Sequence, residues 1–381
     1  MSVKIDPFHA MTISKVAHDL KAAGASIIHM EFGQPSTGAP AAAIAAAHQM
    51  LDTEAMGYWQ SAGLKARIAK LYADRYGVTV TPDQVQLTCG ASPALVLALS
   101  SAFEPGEVIA MARPGYVAYR NTVKALHLEA IEVPCGADVG FLLTAQALAE
   151  LDPAPAGVII ASPANPTGTI TPKAELQAIV KVCRERGIRI ISDEIYHGLS
   201  YVEPAHSMLE FEPNAYVINS FSKYFSMAGW RLGWLISPPD RIETSNAYMS
   251  NLFLTPPSLA QHAGLVAMDE TQELEGHLDT YRTNRELLLD AMPRLGLTRI
   301  APPDGAFYIY ADIGHLTNDS LRFCEQLVRD TGVCTAPGVD FDPVDGARFM
   351  RFSFAVSTAE VREALARLEP WFKDRASRGA P

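Results

Sequence analysis

The sequence predicts an α/β protein built on a mainly parallel seven-stranded sheet that is sandwiched by helices. Amphipathic, helix-like segments at residues 93–103, 116–126 and 173–186 separate short apolar segments in the middle of the chain. Near-continuous apolar strands that alternate with helices are typical of a parallel sheet covered on both faces. The seven apolar segments, each ending in a turn signal, are residues 85–88, 108–112, 130–134, 157–162, 188–192, 216–220 and 232–236.

A smaller α+β domain is expected after about residue 280, where the pattern of the sequence changes. We expect a helix at 281–291, strands at 307–311 and 349–354, and a final helix at 358–373. The first 45 residues fit the alternating pattern poorly and are expected to pack with this end. The sequence therefore predicts a large domain over residues 46–280 and a small domain formed by residues 1–45 and 281–381.

Composition and charge limit the possible partners. The chain has 381 residues, about the length of two domains. Hydrophobic residues make up 48% and charged residues 19%, which is enough for a large core and too apolar for a disordered chain. Lys and Arg number 31 against 42 Asp and Glu, a net charge of −11. This diffuse negative charge argues against nucleic acid or an anionic membrane as the main partner, because both need a basic face.

Cysteine usage and the apolar runs predict a cytoplasmic protein. The five cysteines form no C-x-x-C pair, a pattern typical of a reducing compartment. No run approaches 18 apolar residues, and the N-terminal segment lacks the apolar centre of a signal peptide. The ten histidines are scattered without H-E-x-x-H or a comparable ligand spacing, so no metal site is expected.

The strongest local signal follows the predicted strand at 216–220. Lys223 comes just after this strand, preceded by Ser220 and Ser222 and followed eight residues later by Arg231. An amine in this setting can form a Schiff base, and the hydroxyls and the guanidinium can hold a phosphate nearby. A lysine taken alone is most often a solvated surface residue, but four further segments of the chain agree with the same ligand.

Residues 220–233 fit the pattern S-x-S-K-x5-G-x-R-x-G without a gap. The segment resembles the lysine signature of the class I aminotransferases, the aspartate aminotransferase family of fold-type I pyridoxal 5′-phosphate (PLP) enzymes. The likeness continues in order from about Gly33 to Arg351. It implies the fold-type I PLP-transferase fold and PLP as the cofactor, with Ser222 in contact with PLP and Lys223 bound to it as a Schiff base.

The junction Gly90-Ala91-Ser92 joins a predicted strand to a predicted helix. Taken alone it is an ordinary turn in which Ser92 caps the helix, although a helix N-terminus also binds phosphate through its free N–H groups. It matches neither the nucleotide-binding glycine loops nor the G-x-S-x-G of serine hydrolases. The resemblance implies that the Ala91 N–H and Ser92 contact the PLP phosphate, joined by Ser220 and Arg231.

Three further segments follow predicted strands and fall where the family contacts the PLP ring. Asn165 begins N-P-T-G and Asp193 begins D-E-I-Y, which are otherwise a tight turn and a helix cap. The resemblance implies that Asn165 and Tyr196 donate to the phenolic oxygen O3′, that Asp193 pairs with the pyridinium nitrogen, and that Tyr116 stacks on the ring. A carboxylate beside that nitrogen favours its protonated form, which makes the ring a better electron sink. Tyr116 could instead be an ordinary core or surface tyrosine.

Arg351 lies in the apolar segment F-M-R-F-S-F, where an unpaired charge is costly. The resemblance implies that it grips the α-carboxylate of the substrate, with Gly33 and Asn165 also lining the substrate site. An edge-strand arginine that faces water is the alternative. Tyr58 matches a tyrosine that in the family reaches the phosphate of the neighbouring subunit, which implies a homodimer with shared active sites.

The resemblance implies an aminotransferase that moves the amino group of an L-amino acid to a 2-oxo acid in two stages (ping-pong), through pyridoxamine phosphate. Lys223 would move the Cα proton, and Asp193 and Tyr196 complete the catalytic set. A PLP-dependent β-lyase on the same fold is the first alternative, because both reactions begin by removing that proton. A PLP-binding DNA regulator comes third, since the chain is acidic and has no room for a DNA reader before Gly33. The mostly apolar segment 251–258 favours neutral or broad specificity, with aspartate and glutamate still open.

Overall fold

The computed structural model describes residues 4–377. Helices and strands alternate through the middle of the chain, as the sequence predicts. The helices are α1 (His9–Ala22), α2 (Ala41–Thr53), α3 (Ala62–Tyr76), α4 (Ala91–Ala102), α5 (Val117–Ala125), α6 (Ala145–Glu150), α7 (Lys173–Arg186), α8 (Ile242–Leu252), α9 (Ser258–Ala267), α10 (Thr271–Ala291), α11 (Ser320–Thr331) and α12 (Thr358–Ser377). The strands are β1 (Ile28–His29), β2 (Val85–Thr88), β3 (Val108–Arg113), β4 (Glu129–Pro134), β5 (Gly157–Ala161), β6 (Arg189–Asp193), β7 (Tyr216–Ser220), β8 (Gly233–Ile236), β9 (Tyr308–Asp312), β10 (Val333–Cys334), β11 (Ala336–Pro337) and β12 (Phe349–Ser353).

The central sheet has seven strands in the order β2-β8-β7-β6-β5-β3-β4. Each of the seven predicted apolar segments forms one of these strands, so the predicted fold class is confirmed. β8 is antiparallel to both of its neighbours, and the remaining pairs are parallel. Because parallel strands end at one edge, the segments that follow β3, β5, β6 and β7 meet there, as expected for a ligand site in an open α/β sheet.

Two small sheets join the chain ends. β11, β12 and β9 form an antiparallel sheet, and β1, near the N-terminus, pairs in parallel with β10 in the C-terminal region. α10 begins at Thr271 and runs unbroken past residue 280, because its buried face continues from Leu274 to Leu288. α2 likewise spans residue 45. Both predicted domain boundaries therefore fall inside helices, and the division into two domains stays a prediction. Residues 1–3 and 378–381 of the predicted small domain lie outside the described range.

Local sequence explains where the elements that flank the site begin and end. The Ser61 hydroxyl accepts a hydrogen bond from the Leu64 N–H and begins α3, and Gly77 ends it in the left-handed conformation. α7 ends the same way at Gly187. The five cysteines are all free thiols. Among residues 4–377, no helix combines the length and the apolar character needed to cross a bilayer.

Candidate active site

A cavity of about 430 Å³ opens at the edge of the large sheet where β3, β5, β6 and β7 end. Its volume falls in the range of pockets that enclose small molecules. The lining combines a few charged groups with aromatic and aliphatic side chains. It includes most residues singled out from the sequence, namely Gly33, Ala91, Ser92, Tyr116, Asn165, Asp193, Tyr196, Ser222, Lys223, Arg231 and Arg351.

Lys223 points across the cavity from the loop that follows β7. Its Nζ donates a hydrogen bond of 2.5 Å to the carbonyl oxygen of Gly33, a residue near the N-terminus of the chain. Burial, and after it the positive charge of Arg351, lower the pKa of Lys223 to about 8, while Asp193 opposes the shift. The amine is therefore much closer to its neutral, nucleophilic form at physiological pH than an exposed lysine would be.

Asp193 ends β6 and presents a buried carboxylate to the cavity floor. Its Oδ2 accepts a hydrogen bond of 2.7 Å from the Tyr119 hydroxyl, and its Oδ1 accepts one of 3.0 Å from the Ile195 N–H. Burial raises the pKa of Asp193, and the two hydrogen bonds hold back part of that rise. The carboxylate is thus fixed in place and available to a cationic partner.

The N-terminus of α4 and Arg231 form the opposite end of the cavity. Gly90 precedes α4 with a φ of 100°, and a Cβ at that position would lie 2.5 Å from Nη2 of Arg231. Arg231 donates to the backbone carbonyls of Ala228 and Cys89, at 2.9 and 3.1 Å, and remains exposed. Free helix N–H groups, a guanidinium and the hydroxyls of Ser92 and Ser222 together suit a phosphate group.

Arg351 lies on β12 and is only 2% exposed. Its Nη1 donates to Oδ1 of Asn165 at 2.7 Å and its Nη2 donates to the carbonyl oxygen of Glu31 at 2.6 Å. The guanidinium carbon lies 4.3 Å from the ring centre of Tyr308 and 4.6 Å from that of Phe341. Its Nε is buried and has no hydrogen-bond partner among the described residues. A buried guanidinium with a spare N–H at a cavity wall is suited to an anion such as a carboxylate.

Tyr196 and Tyr308 connect these two ends. Their hydroxyls share a hydrogen bond of 2.7 Å, and the Tyr308 ring packs under the guanidinium of Arg351. Gly33 has to be glycine, because a Cβ there would collide with the Tyr308 hydroxyl. Tyr116 also lines the cavity and meets Tyr119 edge-on, with ring centres 5.6 Å apart.

Two residues singled out from the sequence lie outside the cavity lining. Ser220 is buried beneath it, where its hydroxyl bonds with that of Ser222 at 2.7 Å and donates to the Leu232 carbonyl at 3.0 Å. Tyr58 lies in the loop between α2 and α3 and is 86% exposed. The contact of Ser220 with a phosphate and the contact of Tyr58 with a second subunit both stay predictions.

The family model described as "Aminotransferase class I and II" matches residues 25–368, which is most of the chain. The chain belongs to this aminotransferase family. The resemblance to class I aminotransferases seen in the lysine signature is therefore confirmed, and so is the fold that it implied.

Similar proteins share both the sequence and the architecture. The valine–pyruvate aminotransferase of Mycobacterium tuberculosis is 44% identical over 96% of each chain. The crystal structure of an aminotransferase from the same organism superposes with a TM-score of 0.94, at 44% identity and over 97% of each chain. The aspartate aminotransferase of Thermus thermophilus, whose crystal structure contains maleate, superposes with a TM-score of 0.89 at 28% identity, over 96% of this chain and 97% of that one. This aminotransferase is accordingly a transferase of amino groups between small molecules, as predicted.

Several residues of this aminotransferase site were missed from the sequence. Tyr119 follows Tyr116 by three residues at the start of α5, so helical spacing could have placed it beside the same ligand. Ile195 sits two residues after Asp193, the spacing at which an aspartate side chain often accepts a hydrogen bond from the backbone, as Asp193 does here. Tyr308 and Phe8 had no such signal, because the pairing of β9 with β12 and the path of the N-terminal residues depend on tertiary contacts.

Proposed function

We propose that this protein is a PLP-dependent aminotransferase that takes the amino group of a neutral aliphatic L-amino acid such as valine and passes it to pyruvate or a similar 2-oxo acid. The observation that carries the proposal is the charge of the cavity lining. Among the described lining residues the charged ones are Asp193, Lys223, Arg231 and Arg351. Each has a role in holding the cofactor, the reacting amine or an α-carboxylate, so this chain offers its own site no further cation for a carboxylate in the substrate side chain.

The residues present fit PLP. The N-terminus of α4, Ser92, Ser222 and Arg231 would hold its phosphate, and the Gly90 position leaves Arg231 room to approach that helix. Buried Asp193 would hold the ring nitrogen. Two more lining residues complete the cradle, since Tyr116 would stack on the ring face and Lys223 would anchor the aldehyde. We further propose that Asn165 and Tyr196 would hold the ring's phenolic oxygen.

Arg351 supports an α-carboxylate at the other end of the cavity. Its Nε is buried without a partner, and a buried N–H left unpaired costs about 1–3 kcal/mol. A substrate carboxylate would satisfy it with a charge-assisted hydrogen bond. Asn165 and the Glu31 carbonyl fix the guanidinium from two sides, so the arginine is oriented before substrate arrives.

The chain's own residues then move one proton. PLP, when bound, supplies an electron-accepting ring that makes the Cα–H of the amino acid acidic. Lys223 takes that proton at Nζ, which requires the neutral amine, and its pKa of about 8 leaves about a tenth of it neutral at pH 7. The same Nζ would give the proton back, and the carbonyl oxygen of Gly33 would hold the amine in the cavity in the meantime. Asp193 would favour the protonated form of the ring nitrogen.

Apolar side chains form much of the remaining wall, including Phe8, Phe32, Leu95 and Ala118. They favour an aliphatic substrate side chain, because an unpaired carboxylate against such a surface is poorly solvated. The 44% identity to a valine–pyruvate aminotransferase supports the same substrate class.

We also propose a homodimer in the cytoplasm. Large apolar side chains are exposed on α2, on the loop that carries Tyr58, and on α8 with the residues that follow it: Leu51, Tyr58, Tyr248, Leu252 and Leu254. Gln60 of that loop contacts Met249 of α8, so loop and helix share one face. A face of this kind is typical of a protein interface. Sedimentation at micromolar concentration tests it, and a monomer would contradict the dimer.

The test of the substrate class compares valine with aspartate at saturating pyruvate. We expect kcat/KM for valine to exceed that for aspartate by about tenfold or more, the effect of about 1.4 kcal/mol of uncompensated charge. Equal or better use of aspartate would overturn the neutral specificity. Pyruvate and ammonia formed from a substrate with a β leaving group, without amino transfer to an acceptor, would overturn the aminotransferase mechanism.

A further inference from the structure

Three potential metal ligands meet outside the active-site cavity, where the N-terminal strand joins the C-terminal region. His29 ends β1, Glu31 follows two residues later, and Cys334 ends β10. One ligand atom from each lies within 4.8 Å of the other two, and they form the single such group among residues 4–377. We call these three residues the His29 cluster.

The pairing of two short strands brings the cluster together. β1 and β10 run in parallel with His29 opposite Cys334, and the Met30 N–H bonds to the Cys334 carbonyl at 3.1 Å. In extended chain, residues two apart point to the same side, so Glu31 lies beside His29. No sequence motif marks this site, because Cys334 is about three hundred residues away from the other two ligands along the chain.

One carboxylate oxygen of Glu31 lacks a hydrogen bond. Glu31 and Cys334 are fully buried, and Nδ1 of His29 lies 2.8 Å from Oε1 of Glu31. Oε2 of Glu31 is buried and has no hydrogen-bond partner among the described residues. A buried carboxylate oxygen without a donor is costly, and a pair with His29 satisfies only half of this carboxylate. A cation held between the three ligands would compensate the charge of the Glu31 carboxylate.

We propose that the His29 cluster is a binding site for a borderline-soft divalent cation such as Zn²⁺. Imidazole, carboxylate and thiolate are its usual ligands, at about 2.0–2.3 Å, which places ligand atoms roughly 3–4 Å from one another. The ligand atoms of the cluster lie within 4.8 Å of one another, so a small side-chain movement would bring them onto one ion. Three protein ligands leave a fourth position for water, and the 36% exposed side chain of His29 gives the ion a path from solvent. Binding replaces the thiol proton of Cys334, which leaves to solvent along the same path.

The site is tied to the active site through the backbone. The Glu31 carbonyl accepts the hydrogen bond from Nη2 of Arg351, and the Met30 carbonyl accepts one of 2.8 Å from the Ser353 N–H on the same strand as Arg351. Two residues further on, Gly33 holds Lys223. A cation at the His29 cluster therefore pins the segment that carries both contacts, and it stabilises the junction of β1 and β10.

The test uses the full-length, PLP-loaded protein after treatment with a chelator. Co²⁺ serves as the probe, because tetrahedral Co²⁺ with a thiolate ligand absorbs in the long-wavelength visible region, away from PLP. We expect these bands to saturate at one Co²⁺ per chain and to disappear when Zn²⁺ displaces the probe. Zn²⁺ should also raise the midpoint of thermal unfolding, because it binds only the folded chain.

Variants identify the ligands. His29→Ala and Cys334→Ser should each weaken Co²⁺ binding by about tenfold or more and remove the thermal shift. His29 is half-exposed, so His29→Ala keeps the fold even if the buried Cys334→Ser variant does not. The matched controls are His18→Ala, whose ring centre is 5.9 Å from that of His29, and Cys183→Ser in α7. Both should bind Co²⁺ as the unmodified protein does. Absence of the bands in the unmodified protein, or bands that survive both ligand substitutions, would overturn the proposal.

Discussion

Arg351 and Arg231 lie at opposite ends of one cavity and are held in opposite ways. Arg351 is buried between two aromatic rings and donates hydrogen bonds to Asn165 and to the Glu31 carbonyl. These two partners come from the middle of the chain and from its N-terminal region. Arg231 is exposed and donates only to two backbone carbonyls, one of them three residues away. The proposed carboxylate end is therefore assembled by tertiary contacts, whereas the proposed phosphate end is built almost entirely at one edge of the large sheet.

The contrast fits the two groups that we propose these arginines bind. A phosphate can be held by helix N–H groups and hydroxyls that the local chain supplies, so its arginine adds one contact among several. We propose that Arg351 binds the α-carboxylate, and its charge must be desolvated to bind strongly. Burial strengthens the hydrogen bonds that the guanidinium makes to an anion. It also makes the buried charge depend on neighbouring groups for compensation.

Lys223 lies between the two ends, and its removal should have the largest effect. Lys223→Ala should lower amino transfer by about 10⁴-fold or more, because both proton movement and covalent retention of PLP are lost. Turnover with valine and pyruvate measures the first, and loss of PLP on dialysis measures the second. Unchanged circular dichroism would show that the fold is intact. Near-normal turnover in this variant would contradict the role of Lys223.

Arg351→Lys should come next. An ammonium keeps the charge but cannot contact Asn165, Glu31 and a carboxylate together, and losing one such charge-assisted contact costs about 3 kcal/mol. We expect kcat/KM for valine to fall about 100-fold, mainly through KM, while the affinity for PLP stays the same. An unchanged KM for every amino acid tested would show that the carboxylate binds elsewhere.

Arg231→Gln should have a smaller and different effect. The guanidinium is exposed and shares the phosphate with helix N–H groups, so its loss should weaken PLP binding by about tenfold. At saturating PLP, KM for valine should stay close to that of the unmodified protein. Fluorescence titration of the PLP-free protein with PLP measures the affinity. If Arg231→Gln instead raises KM as much as Arg351→Lys does, the two ends are not separate.

The contrast between locally built and tertiary contacts also explains which features could be predicted from the sequence. The seven strands and the polar residues that follow them could be predicted, because each depends on a short apolar run and its turn. Arg351 was assigned from its motif, but its partners were not: Tyr308 and the Glu31 carbonyl reach it only through the register of β12 with β9 and through the N-terminal segment. The His29 cluster was missed for the same reason, since strand pairing over a long separation leaves no local pattern.

The smallest effect concerns the charge that each arginine exerts on Lys223. Burial and Arg351 lower the pKa of Lys223 to about 8, and Arg231 contributes less than Arg351. Removing a positive charge favours the protonated amine, so both Arg351→Gln and Arg231→Gln should raise this pKa, the first by more. Covalent uptake of PLP by the PLP-free protein requires the neutral amine. Its rate should therefore rise with pH through a midpoint near 8. Absorption stopped-flow across the pH range gives the midpoint for all three proteins. A midpoint that moves further in Arg231→Gln would mean that the exposed arginine, not the buried one, dominates the field at the amine, and the distinction between the two ends would fail.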